Sequence, residues 1–165
     1  MSVAKVVATI TQEEWKELIR NGELFSSKLN KVATDDLISE LKEHYMDFLD
    51  VTIQQPIYSL RYLFGKSINI DCDSDNIVAF LDVFEGCVVL ELEVDDDYLV
   101  DFSLKDLFNQ PTLTHSKTDK KEISVAFLPY IELEWVKKYW ALNESWGLKI
   151  QTADKETLRK MDVNV

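Results

Sequence analysis

The chain has 165 residues, a formal net charge of −12 and 46% hydrophobic content. That length and apolar share support one buried core of ordinary size and exclude a disordered acidic tail. From Asp71 to Asp106 twelve acidic side chains face a single basic one, Lys105. Such a local field disfavours direct contact with nucleic acid or an anionic membrane and favours basic protein surfaces or metal cations.

Val3 to Ile10 is β-branched and apolar and reads as a buried first strand rather than a signal peptide. Thr11 stands three residues before Glu14, which predicts a capping box, and Gly22 predicts the left-handed stop of a helix over 12–21. A second helix is expected over 35–49, with Leu37, Ile38, Leu41, Tyr45, Phe48 and Leu49 on one stripe and His44 beside it. Residues 57–64 fit either a short helix with Pro56 at its first turn or an alternating strand.

A strand over 67–71 leads into the acidic stretch, where Asp75 is placed to cap a helix across Ile77, Val78, Leu81 and Phe84, closed by Gly86. Cys87 to Val94 is the strongest strand, with Leu90, Leu92 and Val94 on one face and Glu91 and Glu93 on the other. Asp95, Asp96 and Asp97 make the following turn, residues 98–102 extend again, and Ser103 with Asp106 starts a short helix. The polar stretch 110–122, with His115, is the longest loop. Pro129 opens an expected helix over 129–142, with Ile131, Trp135, Val136, Tyr139 and Trp140 inside, and Lys137 and Lys138 suit its C-terminal end. Trp146, Leu148 and Ile150 alternate as a final strand over 146–150.

The expected fold is a single α+β domain over 1–152, a mostly antiparallel or mixed sheet packed by about three main helices, with a weakly helical or frayed tail over 153–165. No apolar run approaches the roughly 18 residues of a membrane span. Cys72 and Cys87 cannot form a disulfide framework, and free thiols point to a cytoplasmic location.

Asp71, Asp73, Asp75 and Asp82 mimic the spacing of a calcium loop, with Asn76 in place of the usual glycine and Asp82 in place of the longer bidentate glutamate. A strand end and a helix cap sharing acidic residues explain the same pattern, and calcium or magnesium is the lesser reading. Glu91, Glu93, Asp95, Asp96, Asp97 and Asp101 form the candidate partner-binding surface. Neither His44 nor His115 has a nucleophile signature nearby, and there is no Gly-rich phosphate loop and no zinc spacing.

Four segments in order resemble an uncharacterised family of bacterial and phage proteins. Its Trp-Thr-Ile-Gln-like opening and helix-ending Gly are matched by Thr9-Ile10-Thr11-Gln12 and Asn21-Gly22, and its Tyr-Pro-Ile-Trp-like box by Gln55-Pro56-Ile57-Tyr58. Its Leu-Glu-Leu-Glu-Val strand and Asp-Phe stretch are matched by residues 90–94 and by Asp101-Phe102, and its Ser-Trp close by Ser145-Trp146. The chain lacks the family's opening Trp and its Trp-His pair, and the resemblance implies no reaction. The layout of opening strand, helix and later Leu-Glu-rich strand is also similar to ADP-ribosyltransferase-like folds, which implies an enzyme using a cleft beside His115 on a nucleotide-type substrate.

The leading expectation is a non-enzymatic, cofactor-free acidic protein that binds a basic protein. One version is a nucleic-acid mimic from a phage or mobile element that inhibits a host defence or nucleic-acid-binding protein; another is a cytosolic regulatory module.

Overall fold

In the computed structural model, which describes residues 2–141 and 151–152, the elements follow one another as β1 (Val3–Thr11), α1 (Gln12–Asn21), β2 (Glu23–Leu24), α2 (Asp35–Leu49), β3 (Ile57–Leu63), β4 (Lys66–Ser67) and α3 (Ser74–Phe80). They continue as β5 (Cys87–Asp95), β6 (Val100–Ser103), α4 (Leu104–Asn109), β7 (Ile123–Leu128), β8 (Ile131–Glu132), β9 (Val136–Ala141) and β10 (Gln151–Thr152). The main sheet has the order β10-β9-β5-β1-β3-β7-β6, with β4 hairpinned onto β3 and with β2 and β8 pairing separately. Every pairing among the described residues is antiparallel.

The sheet is covered on both faces, and the alternation along its central strands shows how. In β1, Val7 joins one core while Val6, Ala8 and Ile10 join the other; in β5, Cys87 and Val89 go one way and Val88, Leu90, Leu92 and Val94 the other. The first face receives Leu37, Leu41 and Tyr45 of α2, Ile77 of α3 and Leu107 of α4. The second receives Trp15 and Leu18 of α1, Leu24 of β2 and Ile131 of β8. Burial on both sides is why the central strands read as nearly continuous apolar runs.

Local chemistry fixes the first helix as expected. The Thr11 amide donates to Glu14 Oε1 at 2.8 Å, the Glu14 amide donates to Thr11 Oγ1 at 3.1 Å, and Gly22 ends the helix at φ 80°. Glu14 also takes hydrogen bonds from the Ser27 hydroxyl and the Lys28 amide, so it anchors the loop before α2. Asn30, at φ 55°, exchanges hydrogen bonds with Asp82: each backbone amide donates to the other's side-chain oxygen at 2.7 Å.

One open alternative closes and three expectations change. Ile57–Leu63 is a strand, with Phe64 at φ 49° and Gly65 at φ 92° turning into β4. The strand expected over 67–71 shrinks to Lys66–Ser67, because Ile68 and Ile70 turn inward and Asp73 Oδ2 accepts from the Asn69 amide. The helix expected across Ile77 to Phe84 stops at Phe80. The helix expected over 129–142 is absent: β8, a 3-10 turn at Leu133–Trp135 and β9 stand there instead. Tyr139 and Trp140 pack into opposite cores, which is strand alternation, and the open edge of β5 supplies the backbone partners that a solitary helix would forgo. The strand expected over 146–150 and the tail over 153–165 lie outside the described residues.

No helix among the described residues is long and apolar enough to cross a membrane. Cys72 is exposed and Cys87 buried, and both are free thiols.

Candidate functional site

The six carboxylates named as a partner surface do not share one environment. Glu91 is buried on the α3 side of the sheet, opposite Lys138 in β9, and accepts the Ile70 amide at 3.0 Å. Asp101 is buried in β6 between Val100 and Phe102. Glu93 is exposed and lies directly across from Lys5 in β1. Asp95 and Asp96 are half-buried, and Asp97 is exposed. Glu91 and Asp101 therefore leave the expected surface, and exposed Glu93 and the turn of Asp95, Asp96 and Asp97 remain of it.

That turn is built rigidly. Asp95 ends the longest register in the sheet, paired with Val3, and its Oδ1 accepts the Asp97 amide at 3.0 Å to open a 3-10 turn over Asp96–Tyr98. The Asp96 amide donates to the Ser2 carbonyl at 2.9 Å. From behind, the buried Tyr45 hydroxyl donates to the Phe127 carbonyl at 2.8 Å and lies 3.3 Å from the Tyr98 carbonyl. Burial raises that phenol well above the ordinary tyrosine value, so it stays a neutral donor.

Arg61, in β3, organises the charge inside. Its guanidinium pairs with Asp101 through Nη1 and with Asp96 through Nη2, the latter at 2.7 Å. Asp101 Oδ2 also accepts the Thr118 hydroxyl at 2.5 Å, and the Asp101 carbonyl accepts the Ser116 hydroxyl at 2.7 Å. The long polar loop is thus tied along the outer edge strand β6, where it shields an otherwise open sheet edge. Burial pushes the Asp101 carboxyl up; the Thr118 hydroxyl and the Arg61 charge pull it down, and Asp96 pushes it up again. Arg61 Nε and Asp101 Oδ1 are buried with no hydrogen-bond partner among the described residues.

The cation loop does not assemble. Asp71 pairs with Lys138, Asp73 accepts the Asn69 amide, and Asp82 is committed to Asn30, while Asp75 sits in the first turn of α3. Among the described residues no three His, Cys, Asp or Glu side chains are grouped to hold a metal ion. Local hydrogen bonds took the oxygens that the spacing offered to calcium. His115 is exposed, 3.0 Å by its Nδ1 from Thr112 Oγ1 in its own turn, and His44 stacks on Phe48 at 4.8 Å.

No family model, curated protein or solved structure matches this chain. Ser145-Trp146, one of the segments read as resembling an uncharacterised family, lies outside the described residues.

Sequence reasoning missed two sets of residues. Arg61 was legible: a lone cation inside Ile57-Tyr58-Ser59-Leu60 and Tyr62-Leu63 demands a buried counter-charge, and Asp101, lone between Val100 and Phe102, supplies it. The aromatic residues beside the acidic turn were not. Tyr98, Tyr130 and Trp135 are half-buried and touch one another, at 5.2 Å (Tyr98–Trp135), 5.3 Å (Tyr130–Trp135) and 6.0 Å (Tyr98–Tyr130) between ring centres. The helix expected over 129–142 hid this cluster: Trp135 does pack against the core, but from a 3-10 turn that also brings it against Tyr98 and Tyr130.

Proposed function

We propose that this chain is a non-enzymatic interaction protein that docks a basic segment of another protein against the Asp95–Asp97 turn. The observation that carries the reading is the Asp95–Asp97 turn, held at the end of the β1–β5 register and braced by Tyr45, which exposes Asp97 and half-exposes Asp95 while Asp96 is shared with Arg61. Carboxylates on a fixed frame lose little freedom when a cation arrives, which favours recognition over a floppy acidic tail. Burial of Glu91 and Asp101 shortens the acidic row that a full nucleic-acid mimic would need. The proposal therefore narrows to one turn-sized epitope, with the basic surface of a nucleic-acid-binding or defence protein as one suitable partner. A phage or mobile-element inhibitor acting in the cytoplasm, where free thiols persist, belongs to the same proposal.

Titration with a fluorescent lysine-rich peptide at rising salt tests it. Binding should weaken steeply with salt, and the Asp95→Asn/Asp97→Asn variant should bind roughly five- to tenfold more weakly at low salt. Binding indifferent to both salt and variant would refute the reading.

A further inference from the structure

We propose that the ring cluster of Tyr98, Tyr130 and Trp135, extended by Phe25, is a receptor for arginine side chains on the docked segment. This inference rests on the acidic-turn reading and adds a chemical preference to it.

The rings belong to four different parts of the chain. Tyr98 closes the acidic 3-10 turn, Tyr130 joins β7 to β8, Trp135 ends the turn before β9, and Phe25 follows β2. Phe25 meets Tyr130 at 5.7 Å between ring centres and is 54% exposed. A cluster serving only the core would be sealed and bordered by apolar side chains. Here Tyr98 and Trp135 pack against the second core, yet the rings stay half-buried rather than sealed and have acid beside them.

Asp95, Asp96 and Asp97 precede Tyr98 directly. The Tyr130 hydroxyl donates to Glu132 Oε1 at 3.3 Å, and exposed Glu134 precedes Trp135. Glu132 also stands directly opposite Glu23 in the β2–β8 pair, a like-charge juxtaposition that costs stability and that an approaching cation relieves. Partial burial, the Tyr98 hydroxyl and Glu132 together raise the Tyr130 phenol above its ordinary value, so the ring stays neutral and electron-rich.

Half-buried rings beside carboxylates suit one ligand chemistry well. A guanidinium can lie flat on an aromatic face while its edge donates to carboxylates, and its weak hydration makes it easier to desolvate than an ammonium. The charge excludes nucleic acid and anionic lipid as occupants. An extended, arginine-bearing peptide segment of a basic protein is the occupant these residues fit.

The test compares nona-arginine with nona-lysine peptides by fluorescence anisotropy, using the full chain, at low salt and at about 0.5 M salt, where exposed charges are largely screened. Charge-only docking binds the two alike. A ring receptor should favour arginine by roughly fivefold and keep that preference at high salt, because stacking is short-ranged. Phe25→Ser and Tyr130→Leu should bring the ratio toward one with little change in lysine-peptide affinity. Phe25 is exposed, so its variant decides the matter even if Tyr130→Leu fails to fold. Equal affinities in the unmodified protein, or a preference untouched by Phe25→Ser, would overturn the receptor. The acidic-turn reading would survive that result if Asp95→Asn/Asp97→Asn still weakened both peptides. Failure of both peptides to bind would overturn both proposals.

Discussion

Removing the Arg61 guanidinium would strand Asp101 in a buried site with only Thr118 beside it. A carboxylate left in that position costs far more than the ion pair itself contributes. Arg61→Leu should therefore lower unfolding stability by about 3 kcal/mol in urea titrations, whereas Arg61→Leu combined with Asp101→Val should recover much of that loss. A double variant as unstable as the single one would show that the pair is not coupled. Asp101 also sets a pH dependence. Its folded carboxyl is raised above the ordinary value, so its contribution to stability is largest at low pH and falls as pH climbs through the elevated value. The stability difference between the unmodified protein and Asp101→Asn, followed by melting from pH 3 upward, should shift against the unmodified protein over that window. A difference that is flat with pH would contradict the burial argument.

At the scale of elements, two side chains tie segments that are distant in sequence. Glu14 closes the capping box of α1 and holds Ser27 and Lys28, so Glu14→Ala should cost about 2 kcal/mol and loosen amide protection in the loop before α2. Tyr45→Phe removes the hydroxyl behind the acidic turn and its hydrogen bond to the Phe127 carbonyl, at a cost of about 1 kcal/mol. Normal amide protection around Tyr98 in that variant would show that α2 does not brace the turn. The first of these ties was half legible in the sequence, because a capping box is a local rule satisfied within four residues. Helices α1 and α2 and strands β1 and β5 were legible for the same reason: their periodicity and caps are local. The segment over 129–142 was not, since Ile131, Trp135, Val136, Tyr139 and Trp140 satisfy a helical stripe as well as a strand and its turn. What decided it was the open edge of β5, a tertiary fact. The acidic residues failed in the same way. Glu91 lies on the expected face of its strand, but the segment carrying Ile70 reaches it there, and no alternation pattern shows which neighbour will do so.

For the whole molecule, excess charge gathered in one stretch of sequence is not gathered on one surface of the fold. Arg61 and Lys138 reach into it from β3 and β9, Glu91 and Asp101 withdraw beneath other elements, and Asp82 is spent on Asn30. Asp75, Glu85, Glu93 and Asp97 stay exposed at separate places, and the Asp95–Asp97 turn has aromatic rings beside it. Docking at that turn can be separated from the general attraction of an acidic protein for any cation by a charge-matched comparison. Glu43 and Asp47 are exposed on α2, away from the rings, and Glu43→Gln/Asp47→Asn changes the net charge as much as Asp95→Asn/Asp97→Asn does. Binding of one basic peptide to the two variants, measured side by side at low salt, should fall roughly five- to tenfold for the turn variant and remain nearly unchanged for the helix variant. Equal weakening in both would mean that the peptide reads the overall field, and that the turn is no docking site.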